Sequence, residues 1–436
     1  MSNTQHLSFI FRFYYNTRYQ STMPPSVDSF VTNIQQYGEK VPKKLNTKIE
    51  EIARKAVEEM SKEAGNFFHE ELNDDIHTEE QVKAIIELFP ESLSQRKKNN
   101  FLPIQSATMS GCRSGARSSV SFVPLMASEG YRLGVGGEGN RGGLLSAMAC
   151  LMAFSEDGHN TIQHLASSLF VGEKGPASEE FDRKRVRVLE KLRGMNLLKK
   201  VDIEEYALVN ISLGPECQHR FEFFTSWDPD ALGARDSQWR VPIHDVFKYN
   251  SGKENFEMAL QAGMAYFPER FGFLFHKVGG TTACKKSFDE IEVDTAMNII
   301  RRCIPPSDNH LILHHALEFA PNLVDDIGQY YPDAAFLRDT SGHTLTQFKF
   351  YINLRRGRRK FKKNSSFFIK ATDNQVNSIH PETGLCPFML AAVGNKSDIT
   401  AVYYLLSRNP KLVGAGGNKD SDGVGSSRKR QREDID

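Results

Sequence analysis

Three short stretches with one spacing decide the fold. They read Pro-Glu-Ser-Leu at residues 90–93, Pro-Asp-Ala-Leu at 229–232 and Pro-Asp-Ala-Ala at 332–335. An arginine stands six residues after each of these prolines, at Arg96, Arg235 and Arg338. A phrase that returns with a fixed offset is the signature of an internal repeat.

A second phrase recurs downstream at a fixed distance. Its second residue stands thirteen positions after each of the three prolines. It reads Leu-Pro-Ile-Gln at residues 102–105, Val-Pro-Ile-His at 241–244 and Thr-Leu-Thr-Gln at 344–347. Weaker copies are Leu-Ile-Leu-His at 311–314 and Cys-Pro-Phe-Met-Leu-Ala at 386–391. Most of the chain is therefore predicted to be an array of related units.

The repeat period and the helical patterns define each unit. Pro229 and Pro268 are 39 residues apart, and Pro332 and Pro410 are 78 apart, which is twice that distance. Amphipathic helices precede several of these prolines. One follows a capping box at residues 78–81 and ends at Pro90; in another the apolar face is predicted to be Ile399, Val402, Tyr403 and Leu406. The unit is predicted as helix, turn, helix and extended loop.

This unit resembles the ankyrin repeat, whose period is about 33 residues and whose first helix opens with Thr-Pro-Leu-His. The resemblance implies that His244 and His314 tie loop backbone by hydrogen bonds, and that Gln105 and Gln347 do likewise. Proline suits the first helical position because its missing N–H would have no partner there. The Ser/Thr cap of the ankyrin phrase is mostly lost, so the repeats are degenerate.

A closer resemblance is to the large families of ankyrin-like proteins in diatom genomes. The residues that carry it are 122–125, 136–145, 266–276 and 332–335. It implies an all-α solenoid of degenerate ankyrin-like helix-turn-helix repeats with loop insertions. The repeat-stabilising residues are then predicted to be Pro103, Ile104, Gln105, Pro242, Ile243, His244, Leu313, His314, Pro387 and Phe388. One apolar position of the second phrase is predicted to be buried between neighbouring units. We call it the slot; it is occupied by Ile104, Ile243, Leu313 and Phe388.

The predicted organisation has four parts. Residues 1–27 form a disordered leader, in which the lack of acidic residues before Asp28 also fits an organelle-targeting peptide. Residues 28–75 form a helical lead-in or cap, and residues 76–413 form the repeat solenoid with a basic insertion at about 353–372. Residues 414–436, rich in Gly, Ser and Asp, form a disordered tail.

Composition restricts the function classes. The chain has 436 residues, 39% hydrophobic and 25% charged, with a formal net charge of +1, so no bulk field draws it to nucleic acid or membrane. Its six cysteines form no Cys-x-x-Cys pair and indicate a reducing compartment, the cytoplasm or nucleus. No apolar run approaches the ~18 residues of a membrane span. We expect a monomer that does not bind membranes.

Two motifs of possible chemistry have simpler interpretations. Residues 134–139 satisfy Gly-x-Gly-x-x-Gly, but a dinucleotide site needs a buried strand directly before the first glycine, and the preceding residues read as the end of a helix. His310 and His314 are one helical turn apart, but no third zinc ligand and no Glu base are evident. We therefore predict no cofactor, no metal site and no catalytic residues.

Two basic segments remain, one a candidate site for anions or an acidic partner and the other a candidate nuclear-import signal. The first comprises Arg355, Arg356, Arg358, Arg359, Lys360, Lys362 and Lys363. A charge run is usually a solvated loop, but clustered cations also bind phosphates or acidic partners. The second is a nuclear-import candidate in the tail, Arg428, Lys429, Arg430 and Arg432.

The function predicted from the sequence is a non-catalytic scaffold for an unknown protein partner. A solenoid offers a binding surface whose loops vary while stacked helices supply stability. One alternative is a nucleic-acid-associated or nuclear adaptor that uses the basic loop at residues 355–363. Another is a nucleotide-dependent enzyme built around residues 134–139.

Overall fold

The computed structural model describes residues 43–413, apart from residues 98–99, 110–117, 148–158, 168–175, 215, 237, 249–251, 307–310, 357–372, 374, 382 and 394–398. The predicted leader and tail lie outside these residues. The chain divides into two compact units, Met1–Ala234 and Arg235–Asp436, and the array predicted for 76–413 runs through both. The fold is mostly helical, which confirms the all-α prediction.

Unit 1 is described by nine α-helices. They are α1 Lys43–Asn66, α2 Glu79–Leu88, α3 Pro103–Met109, α4 Val123–Arg132, α5 Thr161–Ala166, α6 Pro176–Gly194, α7 Lys200–Glu205, α8 Leu208–Ile211 and α9 Gln218–Trp227. A π-helical turn, Phe67–Glu71, directly follows α1 and buries both of its phenylalanines.

Helix α2 shows how local sequence sets these boundaries. The predicted capping box is present: Gln81 N–H donates to Thr78 Oγ1 at 3.3 Å, and Thr78 N–H donates to Gln81 Oε1 at 3.0 Å. The helix buries Val82, Ile85 and Ile86 and stops before Pro90, which opens a 3₁₀ turn. Burial of such a side chain contributes about 1.5–3 kcal/mol relative to leaving it exposed.

The helices of unit 1 pack in two rows. In the longer-helix row α2 packs on α4, α4 on α6, and α6 on α9. In the shorter-helix row α3 packs on α5, and α5 on α8. Contacts of α3 with α4, of α5 with α6, and of α8 with α9 join the rows. The short helices α3, α5 and α8 thus each form a pair with a longer helix, and successive pairs stack.

Unit 2 has nine further α-helices and one hairpin among its described residues. They are α10 Pro242–Asp245, α11 Gly252–Tyr266, β1 Lys277–Val278, β2 Thr281–Thr282, α12 Ala283–Ile291, α13 Val293–Cys303, α14 Ile312–Phe319, α15 Val324–Tyr330, α16 Leu345–Arg356, α17 Pro387–Ala392 and α18 Ile399–Arg408. The strands β1 and β2 are antiparallel, with Lys277 opposite Thr282.

The same two-row packing recurs in unit 2. Helix α11 packs on α13, and α13 on α15. In the other row α10 packs on α12, α14 on α16, and α16 on α17. Pairs form between α10 and α11, α12 and α13, α14 and α15, and α17 and α18. The helix pair is therefore the structural element that both units share.

The predicted slot is buried at three of its four positions. Ile104, Ile243 and Leu313 are buried, whereas Phe388 is only half-buried. Ala391 of the same helix forms a small buried cluster with Val376, Ala401 and Leu405, and Phe388 packs against the outside of that cluster. The predicted burial of Phe388 is therefore only partly realised.

The apolar face predicted for α18 was wrong. Ala401 and Leu405 are its buried residues, while Ile399 and Tyr403 are exposed at 82% and 76%. Both faces carry apolar side chains, so periodicity alone did not decide which one packs against α17.

Two buried arginines hold the end of α5, and sequence patterns did not indicate them. Arg185 donates from Nη1 to the carbonyls of His164 and Ser167, both at 2.9 Å, and from Nη2 to that of Thr108 at 3.0 Å. Arg220 donates to the carbonyls of Leu165, Ala166 and Ser167. The last carbonyls of a helix have no intrahelical partners, so the guanidinium groups satisfy them.

One buried carboxylate pairs with Arg220. Asp182 is buried; it accepts from Arg220 Nε at 2.5 Å and from the backbone N–H of His219 at 2.8 Å. Burial lowers the pKa of His164 to about 4, and the charge of Arg185 acts in the same direction. The imidazole beside this cluster is therefore neutral near pH 7.

Candidate functional site

A polar side chain recurs at the start of helices α3 and α5 in unit 1 and α10, α14 and α16 in unit 2. In three of them a glutamine accepts the backbone N–H of the residue three positions before it. The donor and acceptor are Leu102 N and Gln105 Oε1 at 2.8 Å, Asn160 N and Gln163 Oε1 at 2.9 Å, and Thr344 N and Gln347 Oε1 at 2.9 Å. The glutamine thereby caps its own helix.

The amide nitrogen of each glutamine reaches a carbonyl much later in the chain. The bonds are Gln105 Nε2 to Ser146 O at 2.9 Å, Gln163 Nε2 to Tyr206 O at 3.3 Å, and Gln347 Nε2 to Ser378 O at 3.0 Å. The two partners are 41, 43 and 31 residues apart. One side chain thus joins a helix start to backbone 31 to 43 residues later.

Histidine makes the same long-range bond in unit 2. His244 Nε2 is 3.1 Å from His276 O, and His314 Nε2 is 3.4 Å from His343 O. A carbonyl can only accept, so each Nε2 carries the proton. Burial lowers the pKa of both histidines to about 4, which keeps the rings neutral near pH 7. The hydrogen bonds that the ankyrin resemblance implied for His244 and His314 are present.

The sequence patterns did not single out two further members of the series, Gln163 and Asp202. Asp202 accepts Lys199 N–H at 2.7 Å and so caps α7 as a glutamine would. It is fully buried and also accepts from Arg141 Nη1 at 2.5 Å and Nη2 at 3.0 Å. The signal that could have found Gln163 is the capping-box spacing from Asn160.

The loops that lead into α3, α10 and α16 contain a matched turn. At residues 236–240, Asp236 N–H donates to Arg240 O and Trp239 N–H donates to Asp236 O, both at 2.9 Å. The Asp236 carboxylate accepts the backbone N–H groups of Gln238 and Arg240, at 2.8 and 2.9 Å. The Arg240 guanidinium also donates to that carboxylate, at 2.6 and 2.8 Å. These six hydrogen bonds therefore fix the turn.

The turn at residues 339–343 repeats this pattern. Asp339 N–H donates to His343 O at 3.0 Å, and Gly342 N–H donates to Asp339 O at 2.9 Å. The Asp339 carboxylate accepts from the N–H groups of Ser341 and His343. Residues 97–101 of unit 1 make the two backbone bonds as well, from Lys97 to Phe101 and from Asn100 to Lys97. Three loops thus share one backbone geometry.

The residue before the last position of this turn is left-handed in each loop. Its φ is 65° at Asn100, 63° at Trp239 and 79° at Gly342. Glycine adopts this conformation without strain and asparagine tolerates it, whereas a bulky side chain there is an outlier. Trp239 is 67% exposed, so burial does not offset this cost.

Two contacts hold Trp239 in place. The guanidinium carbon of Arg235 lies 5.3 Å from the centre of the Trp239 ring, within the range of a cation–π interaction. The His276 ring hydrogen-bonds the Trp239 backbone, while burial and the charge of Arg235 lower the pKa of His276. The recurring arginine after the Pro-Asp phrase therefore acts on its own loop, and Arg96 and Arg338 likewise donate to the carbonyls of Asn100 and Gly342.

The surroundings of Trp239 are basic. Residues 235–245 and 276–286 carry five Lys or Arg and two acidic residues. Both acids, Asp236 and Asp245, form ion pairs with Arg240. Arg235 and Lys277 are exposed. The surface made by the turn at 235–240 and the hairpin at 276–281, here called the Trp239 surface, is therefore an exposed aromatic ring among cations.

The glycine-rich motif is a loop that follows a helix. Helix α4 ends at Arg132 and the glycines at 134, 136, 137 and 139 are exposed with positive φ. Further on, Gly142 has a structural reason: a Cβ there would overlap the Ala127 carbonyl oxygen, at a φ of 68°. The strand that a dinucleotide site requires does not precede this motif in the described stretch 118–147.

The predicted basic residues lie mostly outside the described part of the chain. Helix α16 ends at Arg356, so the backbone of Arg355 and Arg356 is helical and the insertion would begin after it. Arg358, Arg359, Lys360, Lys362 and Lys363 lie outside the described residues, as do Arg428, Lys429, Arg430 and Arg432. The roles assigned to these residues stay predictions.

Within the residues that the structure covers, no three or more His, Cys, Asp or Glu side chains are grouped so that they could bind a metal ion. None of the described helices is both long and apolar enough to span a membrane. No family model matches the chain, and no curated protein matches it significantly. Function is therefore inferred from the fold and from the loops described above.

Proposed function

We propose that both units are built from degenerate ankyrin-like repeats and that the protein is a non-catalytic scaffold for a protein partner. The observation that carries this proposal is the bond from Gln105, Gln163, His244, His314 or Gln347 to a carbonyl 29–43 residues later. The bond occurs five times. Glutamine makes it three times and histidine twice, each with a side-chain nitrogen as the donor.

The bond supports a binding role because of what it fixes. Its acceptors Ser146, His276, His343 and Ser378 lie in loops, so a helix start in one repeat orients a loop of a later one. Ordering a loop beforehand reduces the entropy that a partner must remove on binding. Repeat scaffolds separate stability, in stacked helices, from recognition, in loops of this kind.

Photo-crosslinking tests the proposal. Benzoylphenylalanine would be placed at Gln238 and at Thr281, both exposed on the Trp239 surface. Matched control positions are Gln261 on α11 and Asn298 on α13, which are exposed on the longer-helix row. The full-length protein would be irradiated in an extract of its source cells, and adducts identified by mass spectrometry.

We expect a reproducible protein adduct at Gln238 or Thr281 and none at the two control positions. Adducts at the control positions alone would place binding on the other row. If all four positions fail to capture a protein while the purified chain turns over a small molecule, the scaffold proposal is wrong.

A further inference from the structure

The exposed tryptophan at the tip of the 235–240 turn has no structural explanation. The matched turn at 339–343 has Gly342 at the same position and makes the same backbone bonds. Trp239 therefore adds a strained φ and a 67% exposed ring without being needed for the turn. Strained residues that the surrounding structure holds in place occur preferentially at ligand-binding sites.

We propose that Trp239 and Arg235 anchor an acidic segment of the protein partner, which deepens and rests on the scaffold function proposed above. The tryptophan ring would cover an apolar side chain of that segment. Arg235 and Lys277 would pair with its carboxylates. Tryptophan and arginine are the residues most enriched among those that dominate binding energy at interfaces.

The charge of the Trp239 surface selects the acidic partner. Both local acids are engaged by Arg240, which leaves Arg235, Lys277, Lys285 and Lys286 as the other cations nearby. Lys285 is paired with Asp289, and Lys286 donates to the His244 carbonyl. The exposed cations left at the rim are thus Arg235 and Lys277, a pair that suits two carboxylates.

The Trp239 surface suits a short acidic peptide better than the phosphate backbone of a nucleic acid. Binding along a nucleic acid uses a track of cations and several stacked aromatic rings. Here one ring is exposed at the turn, and the Arg235 guanidinium lies over it at 5.3 Å. A single exposed ring with a cation beside it suits one anchoring side chain.

The test begins with a randomised dodecapeptide phage library selected on the full-length protein. Enriched peptides would be synthesised with fluorescein and titrated by anisotropy against the wild type, Trp239→Gly and Arg235→Gln. Tyr131→Ser is the matched control, because Tyr131 is an aromatic residue of unit 1 with a similar exposure of 63%. Trp239→Asn is a second variant, since asparagine also tolerates positive φ.

We expect enriched peptides with Asp or Glu beside an apolar residue. Their affinity should fall at least tenfold in Trp239→Gly and Trp239→Asn and about fivefold in Arg235→Gln, with no change in Tyr131→Ser. Affinity should also fall as salt is raised from 50 to 500 mM, because exposed charges are screened.

Peptides without an acidic bias, no enriched peptide, or unchanged affinity in both Trp239 variants would each overturn the inference. So would two results with other probes. One is binding of fluorescein-labelled oligo(dT) that requires Trp239, and the other is a dimer in sedimentation that Trp239→Gly dissolves. If a partner is captured at Thr281 and binds Trp239→Gly as tightly as the wild type, this inference is wrong, while the proposed scaffold function is still supported.

Discussion

Trp239 and Gly342 occupy the same position in two turns with the same backbone hydrogen bonds, and only one of them is a residue that this position favours. Because Gly342 forms the turn without a side chain, the Trp239 ring is not required for the turn to fold. The ring is instead available for contact with a partner. Three of the predictions that follow use such internal comparisons, in which one turn or helix start is the control for another.

The first prediction concerns the stability of the 235–240 turn. Replacing Trp239 with Gly should leave the free energy of unfolding unchanged or raise it by up to ~1 kcal/mol, because positive φ strain disappears. Trp239→Ala keeps the strain and should unfold more easily than Trp239→Gly, by about 1 kcal/mol. Urea denaturation followed by circular dichroism measures both. A large loss in Trp239→Gly would mean that the ring is structural.

The second prediction concerns the repeated long-range bond. Gln347→Ala removes the partner of Thr344 N–H and that of Ser378 O, which should cost about 2–4 kcal/mol of unfolding free energy. Gln347→His restores a nitrogen donor of the kind seen at His314, so it should lose markedly less. Equal losses in the two variants would show that the bond to Ser378 contributes nothing.

The third prediction concerns pH. Burial lowers the pKa of His244 and of His314 to about 4, below the ordinary value of 6.5. The unfolded chain therefore binds more protons between these values, and stability that is fully present above pH 6.5 is lost as pH falls toward 4. Each histidine should contribute on the order of 1 kcal/mol per pH unit in that interval.

Glutamine is the matched substitution for this test, because it fills the same role at Gln105 and Gln347. In the double variant His244→Gln/His314→Gln, the fall in unfolding free energy between pH 6.5 and pH 4.5 should be clearly smaller than in the wild type. The same slope in both proteins would assign the acid sensitivity to other groups.

The fourth prediction concerns the buried arginines of unit 1. Arg220→Met leaves Asp182 buried without its cation and should cost about 3–5 kcal/mol. Adding Asp182→Asn removes the uncompensated charge while keeping an acceptor for His219 N–H, so the double variant should recover part of the loss. Thermal melts of the two variants provide the comparison. No recovery would indicate that the lost helix-end bonds dominate.

The sequence predicted the helical class and the α2 capping box, because helical periodicity and capping chemistry are local. It also predicted the burial of Ile104, Ile243 and Leu313, because they occupy equivalent positions after the recurring proline phrase. It did not predict the buried Arg185 and Arg220, since a charged residue in a polar helical stretch reads as solvent-facing. It also missed the Trp239 surface. The left-handed position of Trp239 becomes visible only when its backbone is compared with that of Gly342.

Hydrogen–deuterium exchange of the full-length protein, with and without the partner captured by crosslinking, tests the central claim most directly. A scaffold that binds through its loops predicts slower exchange on binding in residues 235–240 and 276–281, with little change in α11 and α13. Protection confined to those two helices, or to unit 1 alone, would contradict the account.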